Sequence, residues 1–416
     1  MTELKTRVVH SLSYCKVLLK WLLIATVVGI FGGLIGSVFH ISIDYATEYR
    51  TEYPVIIYFL PLGAVLIAFL YRLAKNAGPL DTNRVLDSVK GEERVPTVMA
   101  PLIFVSTVIT HLFGGSAGRE GAALQLGGSI GYRLGKIFRL NGLDLHLVVM
   151  AGMSAVFSAL FGTPLTALFF SLEVTTVGII HYAGFVPCAI SALTASVIAK
   201  LFGLSPVHFT GISFPSLSFV TVGRVLLLAL LCALVGILFY TAIHKCEHFG
   251  HRYFPNPYLR GLVGGLLIVI LTVLLRTYDY NGAGMDIITN AMSGQAKPEA
   301  FLLKILFTAI TIAAGLKGGE IVPAFFVGST FGCVAGGLLG LNPGFGAAVG
   351  CVALFCCAVN CPIASLLLSF ELFGGEGMLL FALVCGVSYM MSGYGGLYKS
   401  QTFKCSKLEA KYLDEE

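Results

Sequence analysis

The sequence predicts an all-α polytopic membrane protein built from two homologous halves. Three observations carry that reading. Of 416 residues, 56% are hydrophobic and only 12% are charged, with a mean hydropathy of +0.86, which is too apolar for a soluble domain. Long unbroken apolar runs exclude a membrane β-barrel, whose strands alternate polar and apolar residues. A set of identities also recurs about half a chain apart, the mark of an internal repeat. Glycine is abundant at 49 residues, which in a membrane protein points to close helix contacts and to broken helices lining a cavity.

Taken in order, residues 1–20 form a basic N-terminal segment, with Lys5, Arg7, Lys16 and Lys20 before the first span. Asp44, Glu48, Arg50 and Glu52 follow that span, so the positive-inside rule places the N-terminus in the cytoplasm. The first run lacks a small-residue cleavage site and is long enough to cross a bilayer, so no cleaved signal peptide is expected. Trp21 to Ile43 is the first span; Gly29/Gly33 and Gly32/Gly36 make two overlapping G-x-x-x-G pairs, which let neighbouring helices approach closely. Val55 to Tyr71 is the second span, and Arg72 to Arg94 reads as a solvated loop. Apolar segments follow at 98–113, 123–132, 145–160, 165–177 and 184–202. Several are too short to cross a bilayer, and half-helices of this kind aim their N-termini at a substrate near the midplane.

The first membrane repeat therefore spans 21–203, and residues 204–224 form a connection. The second repeat spans 225–398, with apolar segments at 225–243, 262–275, 301–316, 321–341, 345–373 and 378–391 and a polar connection at 278–299. Residues 399–416 form a basic cytoplasmic tail carrying Lys399, Lys404, Lys407 and Lys411. His244, His248 and His251, with Glu247, sit at helical spacing, but Lys245 and Arg252 among them read as a charged connection and no metal is assigned. Most of the 11 cysteines fall in apolar segments and read as small packing residues.

Gly152, Phe157, Pro164, Ser171 and Glu173 match Gly350, Phe355, Pro362, Ser369 and Glu371 at an offset of 198 residues, and Glu120, Gly128 and Ser129 match Glu320, Gly328 and Ser329 at an offset of 200. Glu173 and Glu371 read as capping or hydrogen-bonding residues, because they repeat at equivalent places. The glycine cluster Gly115–Ala122 carries Glu120 inside apolar sequence, where an unpaired carboxylic acid is costly unless it works. Segments opening at Gly118 and Gly318 present unpaired backbone N–H groups, for which an anion is the natural ligand. An ionised Glu120 competes with that anion, and its protonation would couple the two. An intramembrane enzyme is not supported, for lack of H-E-x-x-H or a catalytic dyad.

Gly118-Arg119-Glu120-Gly121, Phe161-Gly162-Thr163-Pro164-Leu165 with Glu173, Gly319-Glu320-Ile321-Val322-Pro323 and Tyr398 together resemble the CLC family of anion channels and transporters, from about Trp21 to Tyr398. The resemblance implies an inverted repeat with broken and tilted helices, a homodimer with one anion pathway per subunit, and Glu120 as gate. Chloride-handling members carry G-S-G-I-P in the first filter loop and G-x-F-x-P in the third. Here the first reads Asp81-Thr82-Asn83-Arg84-Val85. The third is similar to the G-x-E-V-T-P form of the bacterial fluoride-exporting subgroup, with Val322 in place of threonine. Val174 stands where chloride/proton exchangers carry a second glutamate, which that subgroup also lacks. The resemblance implies fluoride/proton antiport across the inner membrane without a cofactor. Glu120 would be gate and proton carrier, Glu320 would mark selectivity, and Gly118, Arg119, Gly121, Thr82, Asn83, Val322, Phe326 and Tyr398 would line the anion. The alternative is a chloride-selective transporter or passive anion channel.

Overall fold

The computed structural model describes residues 2–74, 80–91 and 93–413, with side chains from Ser13 onward. Among the described residues sixteen α-helices fall into two sets of eight. The first set is α1 Thr2–Glu52, α2 Leu60–Leu73, α3 Thr82–Lys90, α4 Met99–Phe113, α5 Glu120–Ile137, α6 Gly142–Phe161, α7 Pro164–Glu173 and α8 Phe185–Leu201. The second is α9 Phe219–Tyr253, α10 Pro257–Leu275, α11 Met285–Met292, α12 Ala300–Ala313, α13 Ile321–Leu338, α14 Pro343–Val359, α15 Pro362–Phe373 and α16 Met378–Met391. Among the described residues seven helical segments are long and apolar enough to cross a membrane, and six apolar helices are shorter. The two sets are the halves of an inverted repeat.

The paired small residues of α1 serve two neighbours. Gly29 and Gly33 lie against Ser191, Thr194 and Ala195 of α8, and Gly32 and Gly36 lie against Ala155 and Ala159 of α6. Closer still are the pairs α5–α6 and α13–α14. A Cβ on Gly152 would overlap the carbonyl of Gly127, and one on Gly350 would overlap that of Gly328. Backbone contacts of this kind let short helices pack without a thick layer of side chains between them.

These contacts also correct the repeat's register. Gly127 is to Gly152 what Gly328 is to Gly350, and α5 and α13 each run 18 residues from starts at Glu120 and Ile321. The structural offset at this point is therefore 201, one more than the identities at 200 suggest. Arg119 and Glu320 are the equivalent N-cap residues, and Glu120 corresponds to Ile321. The offset falls to 198 at α7 and α15 because α14 is three residues shorter than α6.

Other expectations change too. The supposed loop 72–94 contains α3, capped by Asp81, whose side chain accepts from Arg84 N, and closed by Gly91 at φ 89°. Its charged face hides a buried one of Thr82, Val85, Leu86 and Val89; Gly78 and Pro79 lie outside the described residues. The 278–299 connection contains α11. The apolar run 345–373 is two helices, broken at Asn360 (φ 56°) ahead of Pro362, because proline disfavours helical geometry in the residue before it. His244, Glu247, His248 and His251 belong to α9 rather than to a connection. His244 Nε2 lies 2.8 Å from Gly396 O, Glu247 pairs with Lys399 at 2.9 Å, and Arg260 Nη1 meets His251 Nδ1 at 3.0 Å.

The chain beyond Tyr398 is strapped to the bundle. Strand β2 Thr402–Phe403 pairs in parallel with β1 Thr176–Val177. Gln401 Nε2 donates to Val174 O and Val359 O. Lys407 Nζ donates to Asn360 Oδ1, Tyr389 O and Ser392 Oγ at 2.6–2.9 Å.

Candidate anion site at the meeting of the two halves

The loops ahead of α5 and α13 meet as a short antiparallel bridge. Gly118 N donates to Gly319 O at 2.6 Å, and Gly319 N donates to Gly118 O at 2.7 Å. Only glycine permits this approach: a Cβ on Gly319 would run into Glu120 N at 2.7 Å, and one on Gly318 into Ala117 Cβ at 2.5 Å. The N-terminal ends of two helices, one from each half, are thereby brought together. Each carries backbone N–H groups without an intrahelical partner and the positive end of a helix dipole.

Glu120 crosses this seam. Its carboxylate is fully buried and its Oε2 accepts from Val322 N, in the first turn of α13, at 3.3 Å. Its Oε1 has no hydrogen-bond partner among the described residues. A carboxylate of the first half thus occupies the end of a helix of the second. Glu320 lies nearby: a Cβ on Gly121 would stand 3.2 Å from Glu320 Oε2. Thr82 joins the same ground, its hydroxyl accepting from Gln125 Nε2 at 3.0 Å and donating to Gly121 O at 3.4 Å.

The remaining expected site residues are spread around this centre. Arg119 turns outward and pairs with Asp44 at 3.0 Å. Asn83 Oδ1 accepts from Ser400 N at 3.0 Å, two residues beyond Tyr398. The Tyr398 ring is buried, and its hydroxyl has no hydrogen-bond partner among the described residues. Phe326 is buried with its ring 6.3 Å from that of Tyr280. A cavity of about 670 Å³ reaches Glu120, Arg119 and Val322 from the C-terminal end of α1, where Asp44, Thr47, Glu48 and Arg50 line it together with residues of the 278–287 segment.

Several residues at this site were not anticipated. Lys304 of α12 is fully buried; its ammonium donates to Tyr280 O at 3.2 Å and Gly282 O at 2.7 Å and lies 4.9 Å from the Phe326 ring centre. Among the described residues no carboxylate pairs with it. Thr308 and Thr311, one and two turns on, hold Ser116 through its hydroxyl and its N–H, both at 3.0 Å. The polar stripe of α12 therefore clamps both loops that frame the start of α5. The signal was visible in principle, since a lone lysine inside an apolar run asks for a partner or a role. His111 Nε2 faces Gly118 O at 3.2 Å and therefore carries the proton there. Arg50 Nη1 donates to His111 O at 2.7 Å.

Away from this centre the halves are tied by a reciprocal exchange. Glu173, ending α7, accepts from Ile363 N and Ala364 N at the start of α15, at 3.3 and 2.9 Å. Glu371, on α15, accepts from Leu165 N, Thr166 N and the Thr166 hydroxyl at the start of α7, at 2.6–2.8 Å. Both glutamates are helix caps, as their repetition suggested.

Comparison with known proteins agrees with this architecture. A "chloride/fluoride channel protein" of Pseudomonas syringae pv. tomato is 34% identical over 395 residues, covering 93% of this chain and 87% of the relative. The "H(+)/Cl(-) exchange transporter ClcA" of Vibrio cholerae is 27% identical, covering 86% and 83%. A crystal structure of a CLC-type fluoride/proton antiporter superimposes with a TM-score of 0.89 at 32% identity, covering 93% of this chain and 98% of the other. A slow cyanobacterial Cl-/H+ antiporter shares the fold at a TM-score of 0.78 and 20% identity. Residues 62–393 match the family described as voltage gated chloride channel, and the chain belongs to that family, the CLC channels and transporters.

Proposed function

We propose that this protein is a fluoride/proton antiporter of the inner membrane, in which proton entry drives fluoride out of the cytoplasm and Glu120 is both gate and proton carrier. The observation that carries the reading is the seat of the Glu120 carboxylate, which accepts from Val322 N at the first turn of α13. A small anion would bind the same N–H groups. Carboxylate and fluoride are therefore competitors, and protonation of Glu120 removes its claim on the donors. A proton moving with Glu120 and an anion moving in its absence become alternate occupants of one place.

The rest of the site follows from that competition. Gly118, Arg119, Gly121 and Val322 offer backbone around the seam, and Thr82, Asn83, Phe326 and Tyr398 supply hydroxyl, amide and aromatic edges. The donors at the seam itself are neutral, since a full positive charge there would hold the anion too tightly for transit; the Lys304 ammonium is turned to the carbonyls of Tyr280 and Gly282. The unpartnered Tyr398 hydroxyl is a donor suited to a passing anion, and Glu320 beside Gly121 sets selectivity. The need for export has a chemical origin: hydrofluoric acid crosses a membrane as the neutral molecule and ionises at neutral pH. The protein works as a homodimer with both termini in the cytoplasm, without a cofactor and without enzymatic chemistry. The names of the Pseudomonas relative and of the 32%-identical antiporter structure support fluoride. The name of the Vibrio relative supports the second reading, a chloride-selective transporter or channel.

The test is flux from vesicles containing the purified protein. An outward fluoride gradient should draw protons inward, and chloride should move far more slowly. Glu120→Gln should abolish the proton movement; a variant that still pumps protons removes Glu120 from the mechanism, and equal fluoride and chloride rates in the unaltered protein return the chloride reading.

A further inference from the structure

A second cavity, of about 590 Å³, lies away from the anion seam, between the C-terminal end of α2, the N-terminal end of α10 and the 314–317 segment. Its lining carries Arg72, Arg260 and Lys317, and among the described residues lining it there is no acid. Asp81, Glu247 and Glu320 act on this cluster from a distance, but among the described residues none of them forms an ion pair with Arg72, Arg260 or Lys317. Arg72 lies over the Tyr258 ring, 5.7 Å from its centre, and Lys317 lies over the Tyr71 ring at 4.5 Å. Arg260 donates through Nη1 to His251 Nδ1 at 3.0 Å, while its Nε is buried without a hydrogen-bond partner among the described residues. Clustered cations repel one another and lose solvation when partly enclosed, so this arrangement is stabilised by an anion with several acceptor oxygens.

Its place in the membrane narrows the chemistry. Pro54–Leu73 and Pro257–Leu275 are both candidate spans, and the cavity sits at Arg72, near the end of one, and at Asn256 and Pro257, the start of the other. It therefore lies at headgroup level. The two helices pack tightly at their centres, where a Cβ on Gly265 would meet Pro61 Cα at 2.6 Å. Their outer faces remain exposed and apolar through Leu62, Leu66 and Phe69 on α2 and Leu259, Leu262 and Leu266 on α10. A phosphate group in the cavity with acyl chains along those faces satisfies both the charge and the greasy surface.

We propose that this cavity is a phosphate-binding site for the headgroup of an anionic phospholipid, with Arg72, Arg260 and Lys317 as its ligands. Free phosphate shares the headgroup's chemistry but makes no use of the apolar faces. Because Lys317 immediately precedes the Gly318–Glu320 loop, occupancy also steadies the segment that carries Glu320, whatever anion the seam transports.

The experiment is thermal unfolding of the detergent-solubilised full chain with added phosphatidylglycerol, phosphatidylcholine or inorganic phosphate. Phosphatidylglycerol should raise the Tm by about 3 °C at saturating lipid, and phosphatidylcholine should not. The double variant Arg72→Gln/Arg260→Gln should lose that shift, whereas Lys200→Gln, an exposed cation in the last turn of α8 that does not line the cavity, should keep it. An equal shift with both lipids, or one that survives in the double variant, overturns the site. A shift with inorganic phosphate that matches the lipid's keeps the anion site and overturns the lipid as its source. None of these readouts depends on transport, so a failure of the fluoride reading leaves the test intact.

Discussion

Two pairs of glutamates join the halves of this molecule, and they behave differently. Glu173 and Glu371 are exchanged symmetrically: each caps the first turn of the other's helix, with two donors to one and three to the other. Glu120 and Glu320 share a motif position in sequence but not in space. Glu120 reaches across to α13 through Val322 N, while Glu320 is the N-cap of α13 itself, equivalent to Arg119. Symmetry kept on both sides serves the fold, since each half needs the same cap. Where symmetry is broken, the two helix ends differ, and among the described residues only the end of α13 donates to a carboxylate from the opposite half.

The largest effect on stability is expected at the symmetric pair. Glu371→Leu leaves two backbone N–H groups and the Thr166 hydroxyl without their charged acceptor, a loss of about 3 kcal/mol. Glu173→Leu should cost somewhat less, because it serves two donors. Denaturant or thermal unfolding of the solubilised variants measures both. If Glu371→Leu unfolds like the unaltered chain while Glu120→Gln collapses, the division into a structural pair and a working residue is wrong.

A smaller and different effect is expected at Glu320. Glu320→Gln keeps the N-cap geometry but replaces the acid beside Gly121 with an amide, so stability should change by less than about 1 kcal/mol. The ratio of fluoride to chloride flux should fall by about tenfold, the equivalent of 1.4 kcal/mol. Parallel efflux measurements with the two anions decide this. A variant with an unchanged ratio would make Glu320 as structural as Glu371.

Much of this was legible in the sequence because the forces behind it are local or repeated. Apolar runs marked the spans, proline and glycine marked their ends, and the recurrence of Glu173 as Glu371 marked a pair of caps. Glu120 stood out because a carboxylate in apolar sequence needs a reason. The register of the repeat was not legible to the residue: identities at an offset of 200 align glutamate with glutamate, whereas helix caps and the Gly127–Gly152 contact align Glu120 with Ile321. Sequence identity does not report which N–H groups are free. Helix α3 was missed because one charged face across nine residues resembles a solvated loop. Lys304 was passed over because its partners are backbone carbonyls of a loop more than twenty residues away.

The smallest expected effect tests whether the tail beyond Tyr398 is docked or merely adjacent. Burial lowers the Lys407 ammonium to about 8 from its ordinary 10.5. Between those values the docked tail binds fewer protons than a free one, so docking strengthens as pH rises through 8 toward 10.5 and bears the full cost of the buried charge below 8. Lys407→Met removes both the charge and the three hydrogen bonds that Nζ donates to Asn360, Tyr389 and Ser392. Thermal unfolding of the two proteins at pH 7.5 and pH 9.5 should therefore show the unaltered chain gaining on the variant at the higher pH. The gain is modest because part of the side chain still meets solvent, which screens its charge. A gap that is the same at both values would mean that Lys407 is solvated and that the strap is held by its other contacts, those of Lys399, Ser400, Gln401 and the β1–β2 pair.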